Sequence, residues 1–102
     1  MKIIKCLSDK IEEELNDANA YIDLAERWKQ DAPETAELFF DLSCEEMGHV
    51  EKLHKAVAAL IVAYREKNGE PPKEMMTLYD YLHEKQIGLA TQIRVKQGMY
   101  KA

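Results

Sequence analysis

Apolar residues recur every three to four positions along almost the whole chain, the spacing of amphipathic α-helices. Two clusters of helix-breaking residues cut that pattern into three. At Asp31-Ala32-Pro33-Glu34, proline is at home in a first helical turn, and Asp31 with Glu34 has the spacing of a capping box, so a new helix is expected to begin there. At Asn68-Gly69-Glu70-Pro71-Pro72, Asn or Gly closes a helix and the prolines forbid its continuation. The expected helices span roughly 3–30, 34–67 and 73–98. On a wheel at about 100° per residue each forms a stripe. In the first, Leu7, Ile11, Ala18, Ile22 and Ala25 align, with Tyr21 and Trp28 along the edge. In the second, Phe39, Leu42, Val50, Leu53, Val57, Leu60 and Tyr64 align. In the third, Met75, Leu78, Leu82, Leu89 and Ile93 align, with Gln86 inside the stripe.

The pattern predicts an all-α antiparallel bundle of three helices in a single domain, residues 1–102. The middle helix would be about 50 Å long at ~1.5 Å per residue. Its two neighbours cannot wrap it on every side, which suggests completion by a second copy. With 14 Lys plus Arg against 19 Asp plus Glu, the net charge of −5 argues against a nucleic-acid or anionic-membrane partner. Cys6 and Cys44 do not make a disulfide framework, and no signal peptide or bilayer-length apolar run is present, so a cytoplasmic protein is expected.

Some charged residues interrupt the apolar stripes. Glu12 and Glu13 point outward, but Glu14 lies three residues after Ile11 and four before Ala18. Glu46 sits four residues after Leu42 and four before Val50, near the middle of its apolar face, and His49 follows about 60° round the wheel. An unpaired carboxylate in an apolar core costs several kcal/mol, roughly, and Lys10, Arg27, Lys52 and Lys55 fall on flanks or outer faces. A metal ion is the economical partner, because carboxylate oxygen and imidazole nitrogen are ligands that iron, manganese and zinc accept. Residues at i and i+3 adjoin on a helix, so Glu46 and His49 can address one ion.

The Glu-x-x-His spacing is not unique here. Glu51 and His54 repeat it, and Asp80 with His83 comes close. Glu51 points outward with His54 at the margin, and His83 with Glu84 reads as a solvated flank, so neither pair is expected to bind metal. The methionines read as packing, and neither cysteine has a basic partner for nucleophilic work.

One buried Glu on a helix followed by Glu-x-x-His on the next resembles the half-site of ferritin-like di-iron carboxylate proteins. The run from Glu14 to Tyr21 resembles the first helix of rubrerythrins, where a ligand Glu precedes a Tyr by seven residues. The run from Pro33 to His49 is similar to their second helix up to its Glu-x-x-His. The resemblance covers roughly residues 8–60. It implies that Glu14 is a terminal metal ligand, Glu46 a bridging one and His49 a nitrogen ligand, with the Tyr21 hydroxyl adjacent to the ligands.

The chain departs from that pattern by carrying it once. Glu84 is followed seven residues later by Thr91 rather than Tyr, no further Glu-x-x-His follows on a fourth helix, and the rubredoxin-like cysteine pairs are missing. Two chains about a two-fold axis would restore four carboxylates and two imidazoles, a four-helix di-metal core completed by homodimerisation. This resembles the encapsulated ferritins, although no shell-addressing peptide is evident in residues 95–102. The resemblance implies a homodimer or higher homo-oligomer with a di-iron cofactor, manganese or zinc being substitutes. The implied activity is oxidation of Fe(II) by oxygen or peroxide, with any electron donor a separate protein. The alternative, from another class, is a non-catalytic helical assembly or adaptor protein with a structural metal or none.

Overall fold

The computed structural model describes residues 1–102. It contains three helices and no strands: α1 spans Lys2–Trp28, α2 Pro33–Asn68 and α3 Lys73–Lys101. No proline or glycine interrupts α1. The turn after it holds Lys29–Asp31, and α2 starts with Pro33 in its first position, where its missing N–H is no loss. The expected capping box does not form: the N-cap is Ala32, with no side-chain cap. Pro33 fixes the start without it, and Asp31 stays in the exposed turn. At the far end Gly69 takes φ 80° and ψ −163°, a backbone conformation open essentially to glycine alone, and its N–H donates to Arg65 O. Pro71 and Pro72 then hold the chain extended until α3 begins.

The molecule measures 55 × 20 × 18 Å, the long axis matching a 36-residue helix at ~1.5 Å per residue. Successive helices run antiparallel. The N-terminal amine of Met1 meets Met75 Sδ at one end, and at the other the Tyr100 hydroxyl and Lys101 Nζ donate to the Glu37 carboxylate. α1 and α2 form the principal pair, joined through Ile4, Ile11, Leu15, Ala18, Met47, Val50, Val57 and Ile61. α3 folds back onto this hairpin, chiefly against α1, and places Ile93 in the same core. It is the third helix of its own chain's bundle.

Polar side chains fix where α3 sits. Ser43 Oγ donates to Ala18 O at 2.8 Å and accepts from Gln97 Nε2 at 2.9 Å, a buried thread through all three helices. Gln86 Nε2 donates to Ser8 O and Oγ, and Lys96 Nζ donates to Asn19 Oδ1 and Asp23 Oδ1. Ser8, Ser43, Gln86 and Gln97 are buried and paired, because leaving such groups unpaired would cost roughly 1–3 kcal/mol each.

The helical wheels locate the core with two shifts. Leu15, off the expected stripe, is 0% exposed, because α1 is covered by α2 on one side and α3 on the other. Leu78, on the expected stripe of α3, is 60% exposed: Gln86 and Ile93 of that stripe are buried, and further along α3 the buried positions are Gln97 and Tyr100. No helix is long and apolar enough to cross a membrane.

Candidate metal centre

On the side of the α1–α2 pair away from α3, two rows of residues spaced by seven face the same way. Leu7, Glu14 and Tyr21 form the row on α1, and Phe39, Glu46, Leu53 and Leu60 the row on α2. All seven are partly covered, flanking the α1–α2 core without being sealed into it. A seven-residue repeat keeps a helix face in register with its neighbour, so the two Glu meet across the helix contact at one level.

The structure brings Glu14, Glu46 and His49 together, with one donor atom from each inside a span of 4.8 Å. His49 Nδ1 lies 3.5 Å from Glu46 Oε1 and 3.7 Å from Glu14 Oε2. The carboxylate side chains are only 13% and 18% exposed, for Glu14 and Glu46 respectively. His49 is not enclosed as its place on the apolar stripe suggested: its side chain is 53% exposed, because α1 covers α2 on one flank only at this level. Nor is the cluster wholly without a protein cation. Lys10 Nζ, one helical turn before Glu14, comes within 3.9 Å of Glu14 Oε1, although it lies closer, at 3.4 Å, to Glu13.

Two carboxyls this close do not ionise independently. A hydrogen bond with Glu46 holds the Glu14 carboxyl below its ordinary range against the opposing effect of burial, with His49 and Lys10 helping. The same hydrogen bond, burial and the charge of Glu14 lift the Glu46 carboxyl to about 7. Around neutral pH the pair therefore passes from one carboxylate and one carboxylic acid to two carboxylates.

The donor set fits a transition metal. Ligands at about 2.0–2.2 Å from one ion lie roughly 3–3.5 Å from one another. His49 Nδ1 is already within tenths of an ångström of that spacing from both carboxylates, and the widest separation in the cluster, up to 4.8 Å, closes by a further shift of about an ångström. Two hard oxygens and one imidazole nitrogen suit iron, manganese or zinc, and three protein donors leave coordination positions open. Tyr21, placed by resemblance beside the ligands, stacks on Phe39 with ring centroids 6.4 Å apart and makes no hydrogen bond to the three side chains within the chain.

Glu51 does not join the Glu14 cluster; its carboxylate accepts from Arg94 of α3 at 3.0 Å. Glu84 is exposed, as expected, but His83 is half-buried against Tyr79 and His54. Its contact with α2 depends on how α3 docks, which helical periodicity within α3 does not encode. Cys6 and Cys44 are free thiols, and burial pushes the Cys44 thiol up, away from nucleophilic character.

The rubrerythrin family model matches residues 5–101, so nearly the whole chain, α3 included, is spanned by the match. The chain belongs to the rubrerythrin family, and its helical bundle is ferritin-like. No curated protein and no solved structure gives a significant match.

Proposed function

We propose that two copies of the chain pair through the open α1–α2 seam and hold two iron ions between them, and that the assembly oxidises Fe(II) with oxygen or peroxide. The observation that carries this reading is the convergence of Glu14, Glu46 and His49 on an apolar face that α3 leaves uncovered. A two-fold axis beside His49 doubles the donors to four carboxylates and two imidazoles. It also covers Leu7, Phe39, Leu42, Leu53 and Leu60, which are only partly buried in the single chain.

Each residue has a definable part. Glu14 supplies a carboxylate that is ionised well below neutral pH. Glu46 supplies a carboxyl that gives up its proton as a cation arrives, so metal uptake releases protons near pH 7. His49 supplies Nδ1, which faces both carboxylates. The bound iron pair contributes redox chemistry toward oxygen or peroxide. With Fe(II) as substrate, two ferrous ions give one electron each, and one hydrogen peroxide takes both electrons and two protons to become two waters. Cys6 and Cys44 provide no second iron centre, so peroxide turnover without net iron oxidation draws electrons from a donor outside these three helices.

The test is Fe(II)-dependent oxygen uptake and bound iron, measured on the untagged protein and on Glu46→Ala and His49→Ala, with circular dichroism confirming helical content. The reading predicts about one iron per chain and loss of at least roughly tenfold in uptake for either variant. Iron content and oxygen uptake that do not change would leave a helical scaffold protein instead.

A further inference from the structure

The two histidines outside the Glu14 cluster come together on the other side of α2. His54 of α2 and His83 of α3 meet edge to face with ring centroids 5.1 Å apart, and Tyr79 stacks on the outer face of His83. His83 Nδ1 is buried and has no hydrogen-bond partner. A buried polar atom without a partner is uncommon in a folded protein and points to a missing ligand.

The neighbouring hydrogen bonds fix the chemistry of the pair. Gln86 Nε2 reaches Ser8 O, which only accepts, so the amide nitrogen faces α1 and Oε1 faces α2. Gln86 Oε1 then lies 3.4 Å from His54 Nε2, and since Oε1 also only accepts, His54 must carry its proton on Nε2. Burial first, and then His83, hold His54 below the ordinary histidine range, which favours the neutral ring with a bare lone pair on Nδ1. An acceptor that pins one imidazole nitrogen as a donor, freeing the other, is the usual companion of a metal-bound histidine.

We infer that His54 and His83 form a second, two-imidazole metal site bridging α2 and α3, for a borderline transition-metal cation such as Zn²⁺ and not for the iron of the carboxylate cluster. Two imidazoles on one tetrahedral ion hold their ring centres roughly 5 Å apart, the spacing seen here. No third carboxylate or thiolate joins them, and the nearby Glu51 carboxylate is engaged by Arg94. A nitrogen-rich, carboxylate-free set favours zinc, copper or nickel over harder cations, and water completes the coordination.

The experiment is a Zn²⁺ titration of the full chain carrying Glu46→Ala and His49→Ala, which removes the first cluster. The site predicts saturable uptake of one Zn²⁺ per chain, weakened at least roughly tenfold by adding His54→Asn or His83→Phe. Ring ¹H–¹⁵N spectra of the double variant need no further substitution: Zn²⁺ should shift the His54 and His83 nitrogens together and leave His54 Nε2 protonated. Absence of saturable binding, uptake indifferent to both histidine replacements, or ring signals unmoved by Zn²⁺ would each overturn the inference and leave an ordinary stacked pair.

Discussion

Glu14 and Glu46 face one another across the α1–α2 contact, both within 3.7 Å of His49 Nδ1, and this closeness divides them in character: one carboxyl is held low, the other lifted to about 7. Each half of that division has its own consequence for stability. A carboxyl with a raised pKa stabilises the fold fully below its unfolded value and loses that contribution as pH rises through its folded value. For Glu46 the window runs from the ordinary value of 4.5 up to about 7. Glu14 has the opposite sign, and its contribution is lost only as pH falls below the normal carboxylate range.

The chelator-treated protein should therefore lose the Glu46 contribution between pH 4.5 and about 7. His54, held low by burial, works in the opposite sense, its contribution fading as pH falls through the histidine range, so the raw melting curve mixes the two. Comparison with Glu46→Gln isolates the carboxyl. The melting temperature of the native chain minus that of the variant should decline from pH 5 to pH 8 without metal. A difference that is flat or rises with pH contradicts the lifted Glu46 carboxyl.

The seam supplies a coupled prediction. Leu42 is half-buried beside Glu46 on the face assigned to the partner copy. Fully burying a leucine is worth about 1.5–3 kcal/mol, and each 1.4 kcal/mol is about tenfold in affinity. Leu42→Asp should therefore weaken self-association at least roughly tenfold by light scattering, and iron retention should fall in step. A variant that is monomeric yet binds iron as tightly as the native protein would show that one chain suffices.

Ser43 and Gln97 should behave as one unit. Ser43→Ala removes the donor to Ala18 O and strands the Gln97 amide, a loss of about 1–3 kcal/mol in denaturant unfolding. Ser43→Ala combined with Gln97→Leu should cost less than the two single changes added together, because the pair is then removed whole. Strict additivity would mean that the buried thread does not tie α3 to α1 and α2.

Two glycines should respond in opposite directions to alanine. At Gly69 the positive φ with ψ near −163° makes Gly69→Ala destabilising by about 1–3 kcal/mol. Gly88, inside α3, has nothing within 4 Å of where a Cβ would sit, so Gly88→Ala should stabilise by roughly 0.5–1 kcal/mol through the unfolded chain. Thermal melts of the two variants decide both signs.

Much of this architecture is legible in the order of residues. Pro33 and the Gly69–Pro72 run mark the breaks, because backbone geometry at those residues is local. The spacing of Glu14, Glu46 and His49 from their apolar neighbours identifies the cluster, because a helix face is a periodic object. What periodicity does not carry is which second helix covers a face. Leu15 lies outside the α1 stripe yet is fully buried, since α3 reaches that side. Ser8, Ser43 and Gln97 read as surface residues by type, and only the docking of α3 turns them inward. The approach of His54 to His83 is invisible for the same reason, and so is the openness of His49, which depends on the flank that α1 leaves uncovered.

Diffraction from crystals of the iron-loaded oligomer, recorded on both sides of the iron absorption edge, locates the iron relative to both chains. Two anomalous peaks about 3.5–4 Å apart, each within bonding distance of Glu14, Glu46 and His49 side chains drawn from two chains, are the predicted result. Iron located elsewhere, or these side chains in every copy facing solvent with no second chain opposite, would contradict it.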